Sequence, residues 1–442
     1  HTISEITDYV PTDDYVTGHT FNTSTGLFES TLQSGGTVSV NLDGRYLTGF
    51  TDTLANVALI YNNPTYPTSI QPVSGSSASS GIYSTIGGGT GNTASQLGTT
   101  VGGGQGNLNT GNYSTISGGW KNDVLSQISV IGGGVDNTIS TDRHYSTISG
   151  GQLNTISGGT HGTIGGGQGN TASGKHSFVG GGLSNTASGN YYSTVSGGYN
   201  NTASAGYSTT VGGGRDNTAS GYYSATVGGG QDNTASASYS TIAGGQGNTA
   251  SGYTSTISGG YDNTASAYYS FIGAGRGNSN SGYGSAITSG LRNTTLSSGD
   301  FSLIGAGVDN TSDGFAGLIG AGVKNTISNS ADWSVIGGGT GNTLNATTSF
   351  IGGGSGNTVS HNNTFVLGSD ITTTFVDTTY VEKLLLVDLP PTNEALTKVL
   401  SRDTDGRIYE VSTSGFTGGD YLTGHTFNTS TGLFESTLQS GS

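Results

Sequence analysis

Seven histidines, His1, His19, His144, His161, His176, His361 and His425, are the residues of this chain best suited to acid-base or metal chemistry. None has a carboxylate or second histidine at triad or metal-ligand spacing, and no serine has a base placed to activate it. Gly169-Asn-Thr-Ala-Ser-Gly-Lys175 imitates a phosphate-binding loop, but His176 stands where a magnesium-binding Ser or Thr is needed. Asp136, Asp216 and Asp232 sit in Gly-Gly-Gly-x-Asp-Asn contexts that imitate calcium-binding nonapeptides, yet the period is too long and the Asp slot is often Gly. The expectation is a chain that is not an enzyme and uses no metal or cofactor.

The remaining constellation is aromatic. Tyr83, Tyr113, Tyr145, Tyr192, Tyr207, Tyr223, Tyr239, Tyr253, Tyr269, Tyr283, Phe301, Phe315 and Trp333 recur three or four residues before an aliphatic position. Stacking would turn them into a ladder that either grips sugar rings or packs between chains. Tyr192, Tyr223, Tyr239, Tyr269 and Trp333 are its candidate contacts.

What must position these rings is a repeat. From about residue 82 to 369 the pattern of Tyr83-Ser-Thr-Ile-Gly-Gly-Gly-Thr-Gly-Asn-Thr-Ala-Ser95 recurs in 18 copies, its Asn marks 15 to 17 residues apart. Such a unit is too small to bury a core alone, so copies must stack. Stacking at about 4.8 Å per copy gives a rod of roughly 85 Å. The inward line reads Ile86, Val101, Ile116, Ile131, Ile148, Ile164, Val179, Val195, Val211, Val227, Ile242, Ile257, Ile272, Ile287, Ile304, Ile319, Ile336 and Ile351, β-branched throughout as a strand favours. A second inward line, two residues after each Asn, runs from Val124, Ile139 and Ile156 through Ala172, Ala187, Ala203, Ala219, Ala235, Ala250 and Ala265 to Ile327, Leu344 and Val359. It predicts a coil thinnest in the middle. The glycines are expected at tight turns with positive φ, and the Asn column at the other turn, tolerating a left-handed backbone and stacking amide on amide.

Composition alone points elsewhere. With 82 Gly among 442 residues and only 31% hydrophobic content, the chain resembles a disordered one until the period is seen. A net charge of -15 with 12 Lys and Arg leaves no basic stripe for nucleic acid, and no apolar run is long enough to span a membrane. The absence of Cys excludes disulfides and is compatible with an oxidising exterior. The absence of Met, with His1 first, is expected of a mature or excised piece. Sequons such as Asn112-Tyr-Ser and Asn293-Thr-Thr are expected by chance in so Asn- and Thr-rich a chain.

The glycine-turn, aliphatic and Asn-Thr-Ala-Ser rungs resemble the head repeats of YadA-type trimeric autotransporter adhesins, over about 65% of the chain, and similar rungs occur in phage tail fibres. That resemblance implies a left-handed parallel β-roll assembled as a homotrimer, which would also give so thin a coil a further buried face.

Residues 14–35 recur at 420–441 with one change, Val16 to Leu422, at an offset of 406. The expected organisation is the end of a preceding module (1–13), an N-terminal β module and connector (14–81), an all-β parallel solenoid of about 18 rungs (82–369), a C-terminal hairpin or cap module (370–419) and the start of a next module (420–442). Two copies of a small adaptor flanking one rod would give the same pattern. In the first module strands are expected around Phe21, from Leu27 to Leu32 and from Val38 to Leu42, and later a strand from Tyr380 to Leu389 and a hairpin turning at Asp405-Gly406. These flanks resemble β modules and linkers of marine phage tail fibres. They carry 17 of the 27 acidic residues, which favours soluble junctions between nearly neutral rods.

The functional expectation is a non-enzymatic, extracellular, trimeric spacer, a phage tail or capsid fibre for host attachment, with end-to-end tandem modules and a host glycan or protein receptor as partners. The alternative is a bacterial cell-surface trimeric adhesin or extracellular filament. A glycan-cleaving protein would need paired carboxylates, and the solenoid has no Glu.

Overall fold

The computed structural model describes residues 77–382 throughout, with the strand segments 16–22, 27–32, 37–41, 398–402, 408–412, 421–428 and 433–439. It falls into two compact units, His1–Asn280 and Ser281–Ser442. His1, Leu389, Pro390-Pro391 and the Asp405-Gly406 turn lie outside the described residues.

The chain is an all-β parallel solenoid of about twenty turns, with no helix among the described residues and hence none long and apolar enough to cross a membrane. Each turn contributes two strands of two residues, because Gly-rich corners leave room for no more. In the first unit one sheet stacks Thr85–Ile86 through Phe271–Ile272, and a second stacks Ala78–Ser79 through Ser279–Asn280. In the second unit the corresponding sheets run from Ala286–Ile287 to Thr379–Val381 and from Thr294–Thr295 to Thr358–Val359. A third side is closed by single parallel bridges, Thr90 to Gln105 and onward to Tyr261 and Arg276 in the first unit, and Leu291 to Ser355 in the second.

Register is without slippage from turn to turn. Ile242 pairs with Ile257 and Thr241 with Thr256, so the period-2 alternation sends every aliphatic inward and every partner outward. All 18 residues of the expected inward line are at most 1% exposed. Each buried Val or Ile of that line contributes about 1.5–3 kcal/mol.

The second inward line is fully buried as well, and it contains polar members: Asn109, Asn280, Thr295 and Ser312 occupy slots filled by Ala or Ile elsewhere. Asn109 is satisfied by donating from Nδ2 to the Thr100 and Ser114 carbonyls, at 3.0 and 2.9 Å. Facing this line, two residues before each ladder aliphatic, stands a buried hydroxyl or small residue. Where the second line carries Ile156, the facing residue is Gly162, and a Cβ there would lie 2.9 Å from Ile156 Cγ2. In the second unit a Cβ at Gly317 would lie 2.8 Å from Ser312 Oγ and 3.3 Å from Ile327 Cγ2.

The Asn column departs from its expected conformation. None of its 18 members has positive φ; the left-handed residue is the one before each, Gly91, Gly106, Asp136, Asp216 or Arg292, for example. Asn instead turns inward and is fully buried, at most 1% exposed. Asn107 shows why. Its backbone N–H and Nδ2 both donate to Asn92 Oδ1, at 3.0 and 3.1 Å, and Nδ2 also donates to the Gly103 and Gly119 carbonyls at 3.0 Å. One amide therefore satisfies the corner of its own turn and of both neighbours, which no apolar residue can do. Glycine is required three residues before the Asn: Gly245 has φ 96°, and a Cβ there would run into the Gly260 carbonyl.

Outside the solenoid, Val16–Asn22, Leu27–Leu32 and Thr37–Asn41 form an antiparallel sheet, and Lys398–Arg402 pairs with Ile408–Ser412. Tyr421–Asn428 pairs with Leu433–Gln439 in the register of its earlier copy: Phe21 opposes Phe28, and Phe427 opposes Phe434.

Candidate ligand-binding surface

The aromatic residues occupy one corner column in each unit, in two adjacent slots. Tyr83, Tyr113, Tyr145, Tyr192, Tyr239, Tyr269, Phe301 and Trp333 sit three residues before the ladder aliphatic, with φ between 54° and 61°. Tyr207, Tyr223, Tyr253, Tyr283 and Phe315 sit one residue earlier, and Ser208, Ser224, Thr254, Gly284 and Ala316 then take the left-handed backbone. A non-glycine residue in that conformation costs about 1–2 kcal/mol. A stacked ring pair returns about 0.5–1.5 kcal/mol, so contact between neighbouring rings roughly offsets the strain.

From Tyr145 onward the rings of the first unit form an unbroken series. Tyr145 stacks on His161 at 4.9 Å between centroids, His161 on His176 at 4.7 Å and His176 on Tyr192 at 5.1 Å. Tyr191 then links Tyr192 to Tyr207, and Tyr223, Tyr239, Tyr253 and Tyr269 follow at 5.5–6.1 Å. In the second unit Tyr283, Phe301, Phe315 and Trp333 form their own series, edge to face at 5.2–5.6 Å. The rings are exposed on the chain, Tyr192 by 56% and Trp333 by 64%.

His161 and His176 are members of this ladder rather than isolated corner residues. His144 corrects the sequence reading more sharply. A turn two residues longer than the one before it brings its Nδ1 to 3.2 Å from Ser126 Oγ, so one serine does have an imidazole beside it. That serine is 1% exposed and already accepts the Arg143 backbone N–H at 2.7 Å. His361 Nδ1 lies 3.1 Å from Thr373 Oγ1. Side chains of His19 and His425 are outside the described residues.

The other candidate chemistry resolves into backbone roles. Asp136, Asp216 and Asp232 fill the left-handed slot before an Asn, which explains why Gly alternates with Asp there. Asp216 accepts a hydrogen bond from Asn200 Nδ2 at 2.7 Å. Gly169 to Lys175 spans a corner and the Thr171–Ala172 strand, and Lys175 Nζ lies 5.3 Å from the Tyr191 ring centroid. Among the described residues no group of three or more His, Asp or Glu is placed to hold a metal ion.

One feature was missed in the sequence. In the second unit the outward residues next to the ladder are Leu303, Leu318, Val335, Phe350 and Phe365 on successive turns, each paired in register with the next. Phe350 and Phe365 stack at 4.7 Å, and Leu303 and Phe365 are each 37% exposed. In the first unit the same column is mostly Thr, broken by Val130, Phe178 and Phe271.

Electrostatics is local. Arg292 donates from Nε and a terminal nitrogen to the two Asp309 carboxylate oxygens at 2.7 and 2.9 Å, which lowers the Asp309 pKa and raises that of Arg292. Asp123, in the outward column of the second sheet, has its pKa raised by burial and by the charge of Asp136. No protein-family model matches the chain, and no curated protein matches it.

Proposed function

We propose that the chain is a segment of a non-enzymatic, extracellular fibre in which solenoids assemble as a homotrimer and serve as a spacer, in a phage tail or capsid fibre used for host attachment. The observation that carries this reading is the apolar column from Leu303 to Phe365. Five successive outward positions in one sheet are apolar, where a solvated sheet alternates apolar inside with polar outside. A contiguous apolar stripe of this kind marks a surface that another chain covers. The left-handed, threefold arrangement comes from the resemblance of the rungs to adhesin heads.

The test is sedimentation of the purified chain. A species near three times 44.2 kDa is expected, with Val335→Glu and Phe350→Glu shifting it to monomer; a folded monomer in the parent overturns the trimer. A bacterial surface filament built of tandem modules is the second reading, favoured by the two copies of one hairpin at Val16–Leu32 and Tyr421–Gln439. Electron microscopy of the native source separates them by whether the fibres end on capsids or on cells.

A further inference from the structure

Where the ring ladder of the first unit begins, the surface carries a depression of about 270 Å³. It lies on four successive turns of the aromatic corner, whose backbones are tied together by Tyr113 N–H donating to the Leu97 carbonyl, Ile128 N–H to that of Asn112 and Tyr145 N–H to that of Gln127. The amides of Gln96, Asn112 and Gln127, the Asp142 carboxylate and the His144 imidazole line it, and Leu125 gives it an apolar patch. Tyr113 and Tyr145 directly follow the lining residues Asn112 and His144 in the chain and stand 61% and 53% exposed.

We infer that this depression is a binding site for a single neutral sugar ring. Amide groups offer donor and acceptor side by side, and a carboxylate adds a strong acceptor, which suits the vicinal hydroxyls of a saccharide. Tyr113 and Tyr145, next in the chain to lining residues, are exposed rings available to its C–H surface, Tyr145 by the face that His161 does not cover. No Lys or Arg lines the site; the Arg143 guanidinium donates from Nε to the Ser157 carbonyl at 2.8 Å and from a terminal nitrogen to the Asp142 carbonyl at 3.3 Å. A phosphate, a sulfated sugar or a sialic acid would be repelled by the Asp142 carboxylate, the one carboxylate in the lining. The volume falls just under the roughly 300 Å³ at which drug-sized ligand sites begin, which fits one ring rather than an extended chain.

The two-residue insertion that builds the site also explains the Ser126–His144 contact. Ser126 Oγ accepts the Arg143 N–H and meets His144 Nδ1, so this hydroxyl holds the inserted corner and fixes the imidazole at the rim. The inference deepens the attachment part of the proposed function and rests on it, but its test is independent of oligomeric state.

Saturation-transfer NMR on the full chain, with galactose, glucose and N-acetylglucosamine as neutral probes and N-acetylneuraminic acid as the acidic one, tests it. Transfer to at least one neutral sugar and none to the acid is expected. Asp142→Asn and Tyr145→Gly both suit a left-handed backbone and should weaken binding at least tenfold with unchanged melting, while Thr348→Gly, in the same left-handed slot of the second unit, leaves it intact. No transfer to any neutral probe, preference for the acid, or undiminished binding in both variants overturns the site. A chain that sediments as a trimer yet binds none of these sugars overturns this inference alone.

Discussion

Asn248 hangs from Asn233 by two hydrogen bonds to one oxygen: its backbone N–H and its Nδ2 both reach Asn233 Oδ1, at 3.0 and 3.1 Å. The same Nδ2 group serves the Gly244 and Gly260 carbonyls, and Asn248 Oδ1 in turn receives both donors of Asn263. Replacing Asn248 by Ala removes the amide and strands groups in two neighbouring turns. The expected loss is about 2–4 kcal/mol, since buried polar groups left unpaired cost more than an average hydrogen bond contributes. Denaturant unfolding measures it, with the outward Ser251→Ala as a control that changes little.

Ile242 lies fully buried between Val227 and Ile257. Ile242→Asp places an unpaired charge there and removes the apolar contact, which should cost about 4 kcal/mol or more. Amide exchange should accelerate first at Thr241 and Ala243, whose N–H groups bond to the next turn. Melting identical to the parent would remove Ile242 from the core.

A third substitution should do no harm. The Ser193 hydroxyl is buried with no protein partner, as are those of Ser177, Thr209 and Ser255, and two turns after Ser193 the same slot is filled by Ala225. Ser193→Ala should leave stability unchanged or raise it by up to about 1 kcal/mol in thermal unfolding. A loss above that size would show that the hydroxyl is bonded.

Asp123 supplies a pH dependence. Its folded pKa is raised above the ordinary 3.8, first by burial and then by Asp136. The folded state therefore holds this proton more tightly than the unfolded one. The favourable contribution is complete below the ordinary value and is lost as pH rises through the folded one. Asp123→Asn should accordingly melt above the parent at pH 7, the gap closing when both are measured at acid pH. A gap independent of pH would assign the effect to something other than ionisation.

The inward ladder was legible because one aliphatic recurs beside Thr in turn after turn, and only a strand makes use of that alternation. The Asn column was legible as a column but not in its conformation, because Asn is equally at home in a left-handed corner and in an amide ladder. The deciding clue was the residue before it: Gly91, Asp136 and Asp216 are types that accept positive φ. Nothing in a tyrosine announces a left-handed backbone; only Gly98 and Gly284, in the same slot as Tyr113 and Trp333, hinted at it. Ser126 and His144 are 18 positions apart and meet because one turn is longer, a distance effect that no local pattern records. The Leu303 to Phe365 column was readable by alternation, yet the Thr residues that fill it in most other turns disguised it.

The hydrogen bonds between turns also set a mechanical property. They point along the stacking direction, from Thr241 N–H to the Ser255 carbonyl and from Thr249 N–H to that of Asn263, so tension along that direction loads every bond between two turns together. Within one unit the interfaces between turns bear load in series, and the weakest yields first. Each turn that peels away frees 15 to 17 residues, about 50 Å of extended chain in place of the ~4.8 Å it occupied when stacked. A stretched segment would thus lengthen in discrete, nearly equal steps, dissipating work one turn at a time while the remaining turns keep their register.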